Sequence, residues 1–211
     1  MTRVILNEFP DNGYQAVTEE QRHFAISAVT HLEEMVNNPE YFKQLASTKL
    51  KNIKLLIDPV NWKYQEATND DFHRIIRAGI EVRRPEDMHV PDDNDINIYA
   101  ALEKRDEGSL GGVTPGKRTI VTNIEKFNEW LEDDNWILLA GHWFHEWLHT
   151  SGLYHLNPDV ADFKDGVYVA ANLLVDVEAQ RQISLGEKES SGIVDKVKAF
   201  YDAYGIPEQY R

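Results

Sequence analysis

The chain predicts an α+β fold, and three observations point that way. Strand-like and helix-like patterns mix over residues 1–122, the pattern from Asn123 onward is mostly helical, and no Gly/Ser-rich or Pro-rich tract divides the 211 residues. A hydrophobic content of 42%, spread along the whole length, predicts one folded domain with a sizeable core and no long linker.

Val4 to Phe9 reads as an opening strand followed by a turn at Asp11-Asn12-Gly13. Thr18-Glu19-Glu20-Gln21 has the form of a capping box, and Ala25, Ala28, Val29, Leu32, Met35 and Val36 keep helical spacing until Asn37-Asn38-Pro39 stops it. Ile53 to Ile57 reads as a buried strand closed by Asp58-Pro59, and Asp70 to Ala78 as a short helix ending at Gly79. From Asp95 to Leu102 the chain alternates, with Ile96, Ile98 and Ala100 on one face of a half-buried strand. A loop over Gly108 to Gly116 leads to a β segment from Arg118 to Thr122, so a small sheet is expected. Helices are expected from Asn123 to Leu131, Trp136 to Ser151, Val167 to Ile183 and Gly192 to Tyr204.

A net charge of −14, interspersed along the chain, predicts a negative surface field that repels nucleic acid and anionic membranes. No cysteine is present, which excludes disulfides, thiolate metal sites and a cysteine nucleophile. The apolar run at Val4-Ile5-Leu6 is too short for a signal peptide, with Glu8 and Asp11 close behind it, and no stretch approaches a membrane span. A soluble chain is expected, cytoplasmic or else secreted after loss of a leader.

Half of the eight histidines fall within Gly141 to His155. On a helix, His145 and His149 stand one turn apart on one face and can offer two imidazole nitrogens to one ion. Glu146, offset by one position, reaches a water on that ion instead of the ion itself. A continuing helix would carry His155 away from that face, so the helix must break, and Gly152 is the residue suited to the break. Three histidines with one open position make the arrangement of a catalytic zinc, which acidifies water and polarises a carbonyl. Glu146 is the expected general base, passing its proton to a leaving amine. Tyr154 and Tyr168 are candidates for stabilising an oxyanion, and His142 for holding a ligand from behind. A His-Glu-x-x-His sequence alone arises by chance in about one shuffled chain in forty, but requiring Gly152 and His155 lowers that to roughly one in twenty thousand.

His145-Glu146-Trp147-Leu148-His149-Thr150-Ser151-Gly152-Leu153-Tyr154-His155 resembles the extended His-Glu-x-x-His-x-x-Gly-x-x-His signature of the metzincin clan of zinc metallopeptidases. The resemblance covers eleven residues. It implies a zincin-like fold with a twisted mixed sheet, an active-site helix, an N-terminal lobe to about residue 152 and a smaller, mainly helical lobe over residues 153–211. It also implies zinc, a peptide or protein substrate, and the roles given to His145, Glu146, His149 and His155. The clan places a methionine-containing turn beneath the metal after the third histidine, whereas Met1, Met35 and Met88 all precede the motif here. Either a residue near Val167-Tyr168-Val169 fills that place, or the chain resembles the clan only around its metal. In gluzincins the third ligand is a glutamate on a later helix. By that resemblance Glu178 or Asp176 is an alternative ligand, or else a partner holding a ligand imidazole in its tautomer. In zincins a strand close before the active-site helix pairs with extended substrate, which points to Arg118 to Thr122.

The expected activity is that of a zinc endopeptidase. The alternatives are a zinc-stabilised, catalytically inactive interaction module, or a zinc hydrolase of a non-peptide amide. Gly111 to Lys117 is not a P-loop, because Arg118 replaces the required Ser/Thr and a strand follows. Asp92 to Asp95 lacks EF-hand spacing, with Lys104 where a bidentate Glu is needed.

Overall fold

The structure is a computed structural model that describes residues 1–7, 9, 13–82, 93–106, 109–114, 117–157, 164–185, 192, 195 and 197–199. It is α+β, with β1 (Val4–Asn7), α1 (Glu19–Val36), α2 (Pro39–Ser47), β2 (Ile53–Asp58), β3 (Lys63–Glu66), α3 (Asn69–Ala78), β4 (Ile96–Glu103), β5 (Gly111–Val113), β6 (Thr119–Asn123), α4 (Ile124–Glu132), α5 (Trp136–Thr150), β7 (Leu153–His155) and α6 (Gly166–Ser184). The Asp11-Asn12 turn, Asp92 and most of the helix expected over Gly192 to Tyr204 lie outside the described residues.

Local chemistry sets most boundaries. Thr18 and Gln21 form the expected capping box of α1, each accepting from the other's backbone N–H. Asn37-Asn38-Pro39 does stop α1, but the same residues start another helix: Asn38 caps α2 and Pro39 takes its first turn, where no N–H is needed. Asp165 caps α6 by accepting from Val167 N–H at 2.9 Å.

Two sheets result. The four-stranded one has the order β1-β4-β6-β5, with β1, β4 and β6 parallel and β5 antiparallel at one edge. The three-stranded one has the order β3-β2-β7 and is antiparallel throughout. The strand expected to border the cleft, here β6, has β4 on one side and β5 on the other, so it offers no free edge. That edge belongs to β5, whose Gly-Gly-Val sequence carries no alternating apolar pattern.

Helix α5 runs through the middle, packed against α1, α6 and the four-stranded sheet, and every one of its residues is buried. Its rotation about its own axis is fixed by two indoles one turn apart. Trp143 Nε1–H donates to Thr122 Oγ1 on β6 at 3.0 Å, and Trp147 Nε1–H donates to Glu81 Oε1 at 2.8 Å. Glu81 Oε1 also accepts from Asn97 N–H on β4. His145 and His149 each follow one of these tryptophans by two positions, about 200° around the helix. The histidines therefore face away from the sheet.

The approach of α5 to α6 depends on Gly141, where a Cβ would stand 2.4 Å from Val175 Cγ2. Gly141→Ala is expected to lose about 1–3 kcal/mol of stability by overpacking. Val175→Ala in the same chain should restore part of that loss, which urea titration of both variants measures. An unchanged midpoint in the single variant would show that the helices can part without cost.

Candidate metal centre

The chain leaves α5 through a reversal centred on Gly152. Its N–H donates to His149 carbonyl at 3.1 Å, and its own carbonyl accepts from Leu56 N–H at 2.8 Å. Its φ is +87°, a region that L side chains avoid, and a Cβ there would meet Val82 Cγ2 at 2.6 Å. Beyond the turn β7 pairs antiparallel with β2, Leu153 opposite Leu55 and His155 opposite Ile53. The boundary expected near residue 152 thus falls where the two halves share a sheet. His155 is carried by a paired strand and not by a free loop.

One ring nitrogen from each of His145, His149 and His155 lies within 4.8 Å of those of the other two. Ring centroids are 5.0 Å apart for His145 and His149, 5.3 Å for His145 and His155, and 4.7 Å for His149 and His155. His149 Nδ1 lies 2.7 Å from Leu153 carbonyl oxygen. A carbonyl can only accept, so Nδ1 carries the proton and Nε2 is left with its lone pair towards the cluster. Burial, then the neighbouring His149, His155 and His142, holds His145 well below the ordinary imidazole range. Burial and His155 bring His149 down to about 4, against the Leu153 hydrogen bond. Neutral imidazoles converging in a buried place suit a cation, and the three residues could hold a metal ion.

Glu146 is outside this group. Its Oε2 accepts from Val113 N–H on β5 at 3.0 Å, and its Oε1 lies 4.0 Å from His142 Nδ1. Burial pushes its carboxyl up to about 7, against the pull of Val113 N–H and Arg105. His142, also buried, is brought down to about 4 by burial and then by Arg105.

The other expected residues separate clearly. Tyr168, from the first turn of α6, packs against His145 with centroids 4.5 Å apart and stacks on His155 at 4.8 Å. Burial raises its hydroxyl pKa, with Glu146 and Asp165 adding to the rise. Tyr154 stacks almost parallel on His149 and meets Tyr64 edge-on. Glu178 is no part of the cluster: its carboxylate accepts from Arg181 Nε and Nη2 at 2.8 and 2.7 Å and from Gln182 Nε2 at 2.8 Å. Asp176 is likewise outside the three-histidine group. Sequence reasoning missed Asp165, which lies 3.1 Å from His155 Nδ1. An aspartate just ahead of a helical stretch was its available signal. It also missed Val113, which acts through its backbone and leaves no side-chain signature.

No protein family, curated protein or solved structure matches this chain. Among the described residues, no helix is long and apolar enough to cross a membrane.

The Glu146 shift sets a pH dependence for protein kept in EDTA. Its folded pKa of about 7 is raised above the ordinary 4.5, so its contribution to stability is present below about pH 4.5 and lost as pH rises through about 7. Glu146→Gln keeps an oxygen for Val113 N–H and escapes that loss. It is expected to melt higher than the parent at pH 8, by a margin on the order of 2–3 kcal/mol, and equally at pH 4.5. Equal melting at both pH values would mean that the carboxylate is well solvated.

Proposed function

We propose that the chain is a zinc-dependent hydrolase of zincin type that cleaves peptide bonds, with zinc held by His145, His149 and His155 and Glu146 as general base. The observation that carries this reading is the return of His155 beside His145 and His149, with the Glu146 carboxylate, one position along the helix from His145, held by Val113 N–H outside the group. The extended signature over residues 145–155 supports it. So do the mixed sheet, the buried helix beneath it and the reversal at Gly152.

A zinc ion held by His145, His149 and His155 would supply Lewis acidity, making water more acidic and polarising the scissile carbonyl. Glu146 takes the proton of the attacking water and passes it to the leaving nitrogen. Its raised pKa suits both halves of that transfer near neutral pH. Tyr168 is the better candidate of the two tyrosines to donate to the oxyanion, because its ring packs on two of the three clustered imidazoles while that of Tyr154 stacks on one. The same packing against His145 and His155 supports Tyr168 as the residue standing in for the clan's methionine. In this reading an extended substrate lies along the outer edge of β5, in the manner of an added strand.

Bound zinc and cleavage of a mixed peptide library test this. The wild type is expected to bind about one equivalent of zinc and cut peptides, and Glu146→Ala to keep the metal while losing at least about 10²–10⁴ of the rate. Equal cleavage by both would remove Glu146 from the reaction, and a metal-replete wild type that cuts nothing would remove the peptidase reading. Tyr168→Phe keeps the stacked ring, and kcat should fall by about 10²–10³ with KM little changed. An unchanged kcat would leave Tyr168 as packing alone.

A further inference from the structure

We infer that Asp165 is the positioning residue of the third metal ligand, holding the His155 imidazole so that Nε2 points into the cluster. Three observations converge on it. The His155 Nδ1 atom is buried and no hydrogen bond engages it among the described residues. Asp165 Oδ1 is 3.1 Å from that atom, off the line of a formed hydrogen bond. The Asp165 carboxylate is itself almost fully buried, with 4% of its side chain exposed against 17% for His155.

Neither fact is explained by the helix cap alone. An N-cap needs one oxygen, and Oδ1 serves it by accepting from Val167 N–H at 2.9 Å. Serine, threonine or asparagine would do the same without burying a charge. A buried carboxylate against an unpartnered imidazole nitrogen instead fits the carboxylate–histidine pairing found behind metal-bound histidines. Ligation through Nε2 forces the remaining proton onto Nδ1, and a small rotation of either group then aligns Nδ1–H with the carboxylate. That contact fixes the tautomer, orients the ring and makes Nε2 a stronger donor. Tyr168 stands three residues after Asp165, and its ring covers a face of the same imidazole. His155 is thus gripped at its edge and on its face by the first turn of α6, much as Leu153 carbonyl grips His149.

The inference rests on the metal-centre reading but not on peptide hydrolysis, and its test needs no turnover. Zinc affinity is measured by competition with a chromogenic chelator for the wild type, Asp165→Asn, His155→Ala and the double variant, with melting of each in EDTA. Asp165→Asn keeps Oδ1, which serves both Val167 N–H and the His155 contact, and removes only the charge, so its melting in EDTA should not fall below the wild type, while its zinc affinity falls about 10- to 100-fold as the imidazole becomes a weaker donor. In the His155→Ala chain the same change should shift affinity by no more than about twofold, because Asp165 acts only through that ring. The visible bands of the cobalt(II) form should also move in Asp165→Asn, since ligand donor strength changes where a purely structural role would leave them fixed. Wild-type affinity in Asp165→Asn would overturn the inference. So would a loss that persists undiminished without His155, because Asp165 would then be touching the metal itself. A wild type that takes up no zinc would overturn the metal-centre reading, and the inference with it.

Discussion

The arrangement of the site depends on one reversal of direction, made where α5 ends. A helix can align two imidazoles on one face by itself, but it cannot bring a third back from ten residues further on. Gly152 makes the turn because its φ of +87° and the closeness of Val82 leave no room for a side chain. The pairing of β7 with β2 then holds what the turn delivers, so His155 sits on a strand whose partner, Ile53, is part of the core. Backbone hydrogen bonds at Leu56, Val82 and Gly152 bind the reversal to the rest of the fold.

Burial does the remaining work. A helix enclosed on all sides has to account for the polar groups it carries, and α5 carries three histidines, a glutamate and, at Trp143 and Trp147, two fully buried indole N–H groups. The indoles are spent on Thr122 and Glu81, which locks the helix to the sheet and turns the histidine face away from it. Desolvation then keeps His145 and His149 neutral and raises the Glu146 carboxyl. The same enclosure that makes these groups costly to bury gives them the protonation states that a metal ligand and a general base need.

Several elements were legible because their cause is local. The capping box of α1, the helix end at Gly79 and the helical spacing over Trp136 to Thr150 all arise from residues within a turn or two of one another. The three clustered histidines and Glu146 were legible for the same reason, since they occupy a single stretch of eleven residues. Strands β3, β5 and β7 were not, because each is short and forms only when a distant partner supplies its hydrogen bonds. Helix α2 was hidden by proline chemistry with two meanings: Pro39 closes one helix and opens the next.

The amino-acid sequence by itself determined which side chains share the candidate site, because the spacing of His145, Glu146 and His149 along a helix and a glycine three residues further on are properties of the chain alone. Tertiary structure decided which partners those groups meet. It laid Tyr168 on two of the imidazoles, set Val113 N–H against Glu146 and brought Asp165 to the His155 Nδ1 edge. The physical reason is that ligand type follows from side-chain chemistry, whereas orientation, burial and charge state follow from contacts between elements far apart along the chain, which no short stretch encodes.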